Sequence, residues 1–151
     1  MSYNFNKLQR DLYNIVDCNI GFHLECSVYQ MKDSRDTGDL HRWLVSIGKG
    51  LNKDVIWDFP HDFIRYGGYI ENYPYDCYTN EISNIIREYV NTPQEDLLVK
   101  NFGDIDNFTG LTTILIAADK RIGEDVLKQL CSTPRFYNNI AARKVIERRT
   151  H

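Results

Sequence analysis

Apolar residues recur at helical intervals along most of this chain. Phe5, Leu8, Leu12, Ile15 and Val16 share one face of residues 5–17, which predicts an amphipathic helix. Residues 20–31 fit two periods. Ile20, Phe22, Leu24, Cys26 and Val28 alternate as in a half-buried strand, while Leu24, Val28 and Met31 also fit a helix. A lone strand needs a partner, and the nearest candidate is the short run Val55-Ile56-Trp57, so the segment is assigned to helix with its neighbours. Asp39 then reads as the N-cap of a third helix carrying Leu40, Trp43, Leu44, Ile47 and Leu51. The next stretch is broken by Pro60, Gly67-Gly68 and Pro74. It predicts one or two short helices and an exposed loop around residues 71–78.

The second half is punctuated more sharply. Ile82, Ile85, Ile86, Tyr89 and Val90 line one face of residues 80–91. Thr92-Pro93-Gln94-Glu95 spells a capping box with proline at the first helical position, and Gly103 suits the stop of the helix that follows. Phe108, Leu111, Leu115 and Ala118 form a core stripe over residues 108–121. Val126, Leu127 and Leu130 mark the next helix, and Thr133-Pro134 opens the last, with Phe136, Ile140 and Ala141. Short helices joined by short turns pack as antiparallel neighbours. The expected fold is therefore all-α, an irregular array of helical hairpins forming one domain over residues 1–151. The alternative is α+β, with a small strand pair in the first half.

Composition fits a soluble globular protein: 42% of residues are apolar and 26% charged. The first residues lack the apolar run of a signal peptide, and no apolar stretch is long enough to span a membrane, so the expected location is cytoplasmic. Cys18, Cys26, Cys77 and Cys131 form no C-x-x-C pair, and His23, His41, His61 and His151 show no zinc spacing. Asp104-Ile105-Asp106 fails as a calcium loop, because Phe108 and Leu115 stand where oxygen ligands are required. No metal, cofactor, small-molecule ligand or catalytic residue is expected.

Charge adds one feature. The net charge is −3, yet residues 54–81 hold six carboxylates against the single cation Arg65, interleaved with aromatic rings. Tyrosine gives a large rigid contact face with a polar tip, and clustered carboxylates steer a basic partner inward. The candidate partner-binding residues are Trp57, Asp58, Asp62, Tyr66, Tyr69, Glu71, Tyr73, Tyr75, Asp76 and Tyr78. A bland alternative is core packing of Tyr66, Tyr69 and Tyr73, which recur at helical spacing. Two other chemistries compete with binding. Cys77 with His61 could form a thiol hydrolase, but the acidic surroundings would raise the thiol pKa rather than lower it. Arg143, Lys144, Arg148 and Arg149 could touch RNA in an adaptor role, although so small a patch neutralises few phosphates.

Small size, the acidic aromatic segment and the closing run Asn139-Ile140-Ala141-Ala142-Arg143-Lys144-Val145-Ile146-Glu147-Arg148-Arg149 resemble the all-α immunity proteins of bacterial polymorphic-toxin and contact-dependent growth inhibition systems, best over residues 80–151. That resemblance implies a protein that binds a toxin domain, often a nuclease, and blocks its active site. Together with the acidic-tyrosine segment, it leads to the expectation of a cytoplasmic protein, not an enzyme, whose partner is a cognate cationic toxin domain. It transfers no functional residue position by position.

Overall fold

A computed structural model describes residues 5–30, 39–65, 67–70 and 78–150. Helix α1 (Phe5–Tyr13) leads through a short 3₁₀ turn into three strands, β1 (His23–Gln30), β2 (Asp39–Ile47) and β3 (Asp54–Phe59). Among the described residues seven α-helices follow: α2 (His61–Arg65), α3 (Thr79–Val90), α4 (Asp104–Thr109), α5 (Leu111–Ala118), α6 (Glu124–Leu130), α7 (Pro134–Tyr137) and α8 (Ile140–Arg149). The fold is thus mixed α+β with helices in the majority.

The all-α expectation fails in the first half, where the segments assigned to the second and third helices are strands. The sheet is antiparallel in the order β1-β2-β3. β1 and the Val55–Trp57 segment are both strands but never pair with each other. Each pairs with β2, Leu24 opposite Val45 and Val45 opposite Trp57. The missing partner was the segment read as a helix. Trp43, Val45 and Ile47 alternate into the core, as do Trp57 and Phe59 on β3. Two positions four apart, such as Trp43 and Ile47, satisfy the helical period and twice the strand period alike, which is why the helix assignment fitted.

Both outer edges of the sheet are guarded. Leu24 turns its backbone outward on β1, where its N–H donates to the Tyr13 hydroxyl at 3.0 Å and its carbonyl accepts from Gln9 Nε2 at 2.7 Å. On β3 the Asp58 N–H donates to Asp62 Oδ2 at 3.1 Å, and the indole N–H of Trp57 donates to the Thr109 carbonyl at 3.1 Å. Helix α1 therefore closes one edge while α2 and α4 close part of the other.

All eight residues of α5 are buried, so this helix forms the centre of the molecule. It packs on α8 through Ala141, Ala142, Val145 and Ile146, and the inner sheet face joins the same apolar cluster. An eight-residue helix buried on every side needs its ends satisfied from elsewhere. At the start, Asp106 of α4 accepts from Thr112 N (2.7 Å) and Thr112 Oγ1. At the end, Arg149 of α8 donates to the carbonyls of Ala117 (3.1 Å), Asp119 (2.9 Å) and Ile122 (2.9 Å), and to Asp17 Oδ2 at 3.2 Å. Asp119, fully buried, accepts from Tyr89 Oη (2.7 Å), the Arg121 backbone N–H (2.8 Å) and the Arg121 guanidinium (2.7 Å).

Two local expectations are also corrected. Thr92 does not cap the following turn; its hydroxyl donates back to the Glu88 carbonyl of α3 at 2.7 Å. Phe108 does not continue the α5 stripe, because Gly110 takes a left-handed conformation (φ 71°) and ends α4 before α5 begins. Phe108 projects instead, 70% exposed.

Candidate functional site

The Trp57 and Phe59 rings stack at 5.8 Å with planes 12° apart, and Phe63 from α2 meets Phe59 at 5.7 Å. Strand alternation puts Trp57 and Phe59 on the same face, and the short α2 returns Phe63 onto it. Gly68 then passes directly over Phe63, with its N–H donating to the Phe63 carbonyl at 2.8 Å. A Cβ at Gly68 would lie 2.5 Å from that ring, so only glycine permits the approach.

These elements enclose one side of a cleft of about 600 Å³; Ile105, Phe108 and Thr109 of α4 form the other, with Tyr69 and Tyr78 at its borders. Its volume lies within the range of pockets that receive small ligands or single side chains. Trp57 sits at depth, only 7% exposed, whereas Tyr69 stands 79% exposed. Tyr78 is half-buried and starts α3 from a left-handed conformation (φ 55°). The Oγ1 of Thr109 is sealed from solvent without a hydrogen-bond partner among the described residues.

The cleft brings together Trp57, Asp58, Asp62, Tyr69 and Tyr78 of the sequence candidates. Tyr66, Glu71, Tyr73, Tyr75 and Asp76 lie outside the described residues, as does Cys77 of the thiol alternative. The two placed carboxylates are not bare. Asp58 alternates away from Trp57 and takes a fork from Arg42, with Nε at 2.9 Å and Nη2 at 2.5 Å. His61 Nδ1 stands 3.6 Å from the same carboxylate. Asp62 spends Oδ2 on the Asp58 amide; its Oδ1 has no partner among the described residues. Sequence reasoning left out Phe63, Ile105 and Phe108. Gly110 is the signal that separates Phe108 from the core stripe.

Of the basic tail only Arg149 is withdrawn into the fold, while Arg143, Lys144 and Arg148 are exposed. The Arg149 side chain is 6% exposed and tied to α5, Lys144 Nζ lies 3.7 Å from Asp54 Oδ2, and Arg143 stands over the Tyr137 ring at 4.9 Å. Three exposed cations neutralise few phosphates. The shifted titrations belong to core groups. Burial pushes the Cys26 thiol up to about 11, which makes its thiolate scarce at neutral pH. Burial and then the Asp119 charge push the Tyr89 hydroxyl far above its ordinary range. Burial also raises Asp106 and, acting on a cation, lowers Arg135.

Among the described residues no three His, Cys, Asp or Glu side chains are grouped to hold a metal, and no helix is long and apolar enough to cross a membrane. No protein-family model matches the sequence, and neither a curated protein nor a solved structure matches it.

Proposed function

We propose that this chain is a protein-binding module of the immunity type, which neutralises a cognate cationic toxin domain in the cytoplasm by covering its active site. A nuclease is the proposed toxin. The observation that carries this reading is the aromatic cleft. Tyr69 and Phe108 are exposed at its borders, and the buried Trp57 lines it between them. Large rings kept in water around a recessed aromatic floor are the anatomy of an interface anchor rather than of a core. The net negative charge of residues 54–81 favours the approach of a basic domain.

The deciding experiment pairs this chain with the toxic domain encoded at the end of the adjacent upstream reading frame. Co-expression should relieve the growth arrest that the toxic domain causes alone. The double variant Tyr69→Ala/Phe108→Ala should lose that relief and bind the domain at least about 30-fold more weakly. Its melting temperature should stay close to the parent's, because both rings are exposed. Full rescue and full affinity in the double variant would remove the cleft from the function. An adjacent frame without toxicity would remove the immunity role.

A further inference from the structure

We propose that the cleft receives an arginine side chain of the partner. The inference rests on the binding role assigned above and names the group that enters. Polar accounting selects the occupant. The indole N–H of Trp57 and the Thr109 carbonyl already satisfy each other at 3.1 Å, so neither asks for a ligand. Asp58 is occupied by the Arg42 fork. The Thr109 hydroxyl lacks a partner among the described residues but is sealed from solvent. What the lining leaves over toward the cleft is an acceptor: Asp62 has one carboxylate oxygen on the Asp58 amide and the other without a partner among the described residues. No lysine, arginine or histidine joins it among the described lining residues.

Three kinds of group could enter, and the chemistry separates them. An anion would meet Asp62 with no cation among the described lining residues and be repelled. A wholly apolar group would cover Asp62 and strip water from a carboxylate with no ion-pair partner among the described residues, at a cost that such burial rarely recovers. A cation gains both from the carboxylate and from the rings of Phe63, Tyr69 and Phe108. Of the two long cations, arginine suits the site better. Its flat guanidinium stacks on aromatic faces while its edge N–H groups reach a carboxylate, whereas an ammonium is a compact, strongly hydrated point charge. The aliphatic stem would lie along Ile105 and the aromatic wall.

The test uses the full chain, ¹⁵N-labelled and titrated with N-acetyl-arginine amide, and compares it with N-acetyl-citrulline amide, which keeps the shape and loses the charge. Arginine should shift the Trp57 indole resonance and the amides of Asp62 and Gly68, and citrulline should bind at least about fivefold more weakly. Asp62→Asn should abolish that preference. Its amide oxygen can still accept from Asp58 N–H, and an unchanged Trp57 indole resonance in the free variant verifies the fold. Equal binding of citrulline, or arginine-induced shifts confined to other surfaces, would overturn the inference. N-acetyl-phenylalanine amide filling the cleft where arginine does not would also overturn it while leaving a binding cleft in place. Likewise, full toxin rescue by Asp62→Asn beside failed rescue by Tyr69→Ala/Phe108→Ala would sink the arginine and keep the function. Arginine-selective shifts with no toxin relieved would do the reverse.

Discussion

Arg149 shows how much a single charged residue can carry. Its guanidinium serves three carbonyls, one in the last turn of α5 and two beyond its end, and the carboxylate of Asp17. Truncation would strand these acceptors away from water. Arg149→Ala is therefore expected to lose about 2–4 kcal/mol of stability, read as a lowered urea midpoint with an unchanged slope. A loss below about 0.5 kcal/mol, the value of an ordinary surface site, would show that water replaces the arginine. Nothing in the sequence distinguishes Arg149 from Arg148, its exposed neighbour. Both sit in a basic helix end, where a solvated face favoured by the helix dipole is the natural expectation. Apolar spacing reports which face of a helix is buried; it is silent on which polar residue reaches back across the core.

Elements were legible where the apolar positions fitted a single period and ambiguous where they fitted two. The helices over residues 5–13 and 79–90 follow from one apolar face each. Strands β1 and β2 did not, because inward residues that alternate every second position also stand four apart, a spacing that a helix satisfies. What holds the sheet's connection in place is a close crossing of two glycines. A Cβ on Gly21 would lie 2.1 Å from the Gly48 carbonyl oxygen, and Gly21 is itself left-handed at φ 66°. Gly50 has a similar φ of 58° but open space around it. Thus Gly50→Ala should cost about 1 kcal/mol, the left-handed penalty alone, and Gly21→Ala at least about 3 kcal/mol because backbone must move as well. Equal losses in thermal melts of the two variants would mean that the crossing yields easily.

For the molecule as a whole, pH offers a probe of its polar core. Asp106 is held above its ordinary value of 3.8, first by burial, against the opposing hydrogen bonds from Thr112 and the charge of Arg135. A raised carboxyl pKa means that the folded state holds the proton more tightly than the unfolded chain does. Its contribution to stability is complete below 3.8 and lost as pH rises through the folded value. Other carboxylates impose their own trends, so the difference between parent and Asp106→Asn isolates this one. Relative to the variant, the parent should lose stability from pH 3 to pH 7, as about one titrating group predicts; a relative gain would reverse the assignment. The candidate site divides along the same line of legibility. Rings and carboxylates clustered near Trp57 could be read from composition, whereas the Arg42 fork on Asp58 and the contribution of Phe108 required the chain's path in space.

The backbone pairing of Val16 with Asp119, continued by Asp17 N–H to the Ala118 carbonyl and Lys120 N–H to the Ile15 carbonyl, sets the order in which this chain can assemble. Neighbouring strands and helices meet after closing short loops, in microseconds or so. This seam closes a loop of roughly a hundred residues, whose entropy is recovered only once both halves already exist. Amide protons of the hairpins should thus gain protection from exchange early, and those of Asp17 and Lys120 only in the rate-limiting phase.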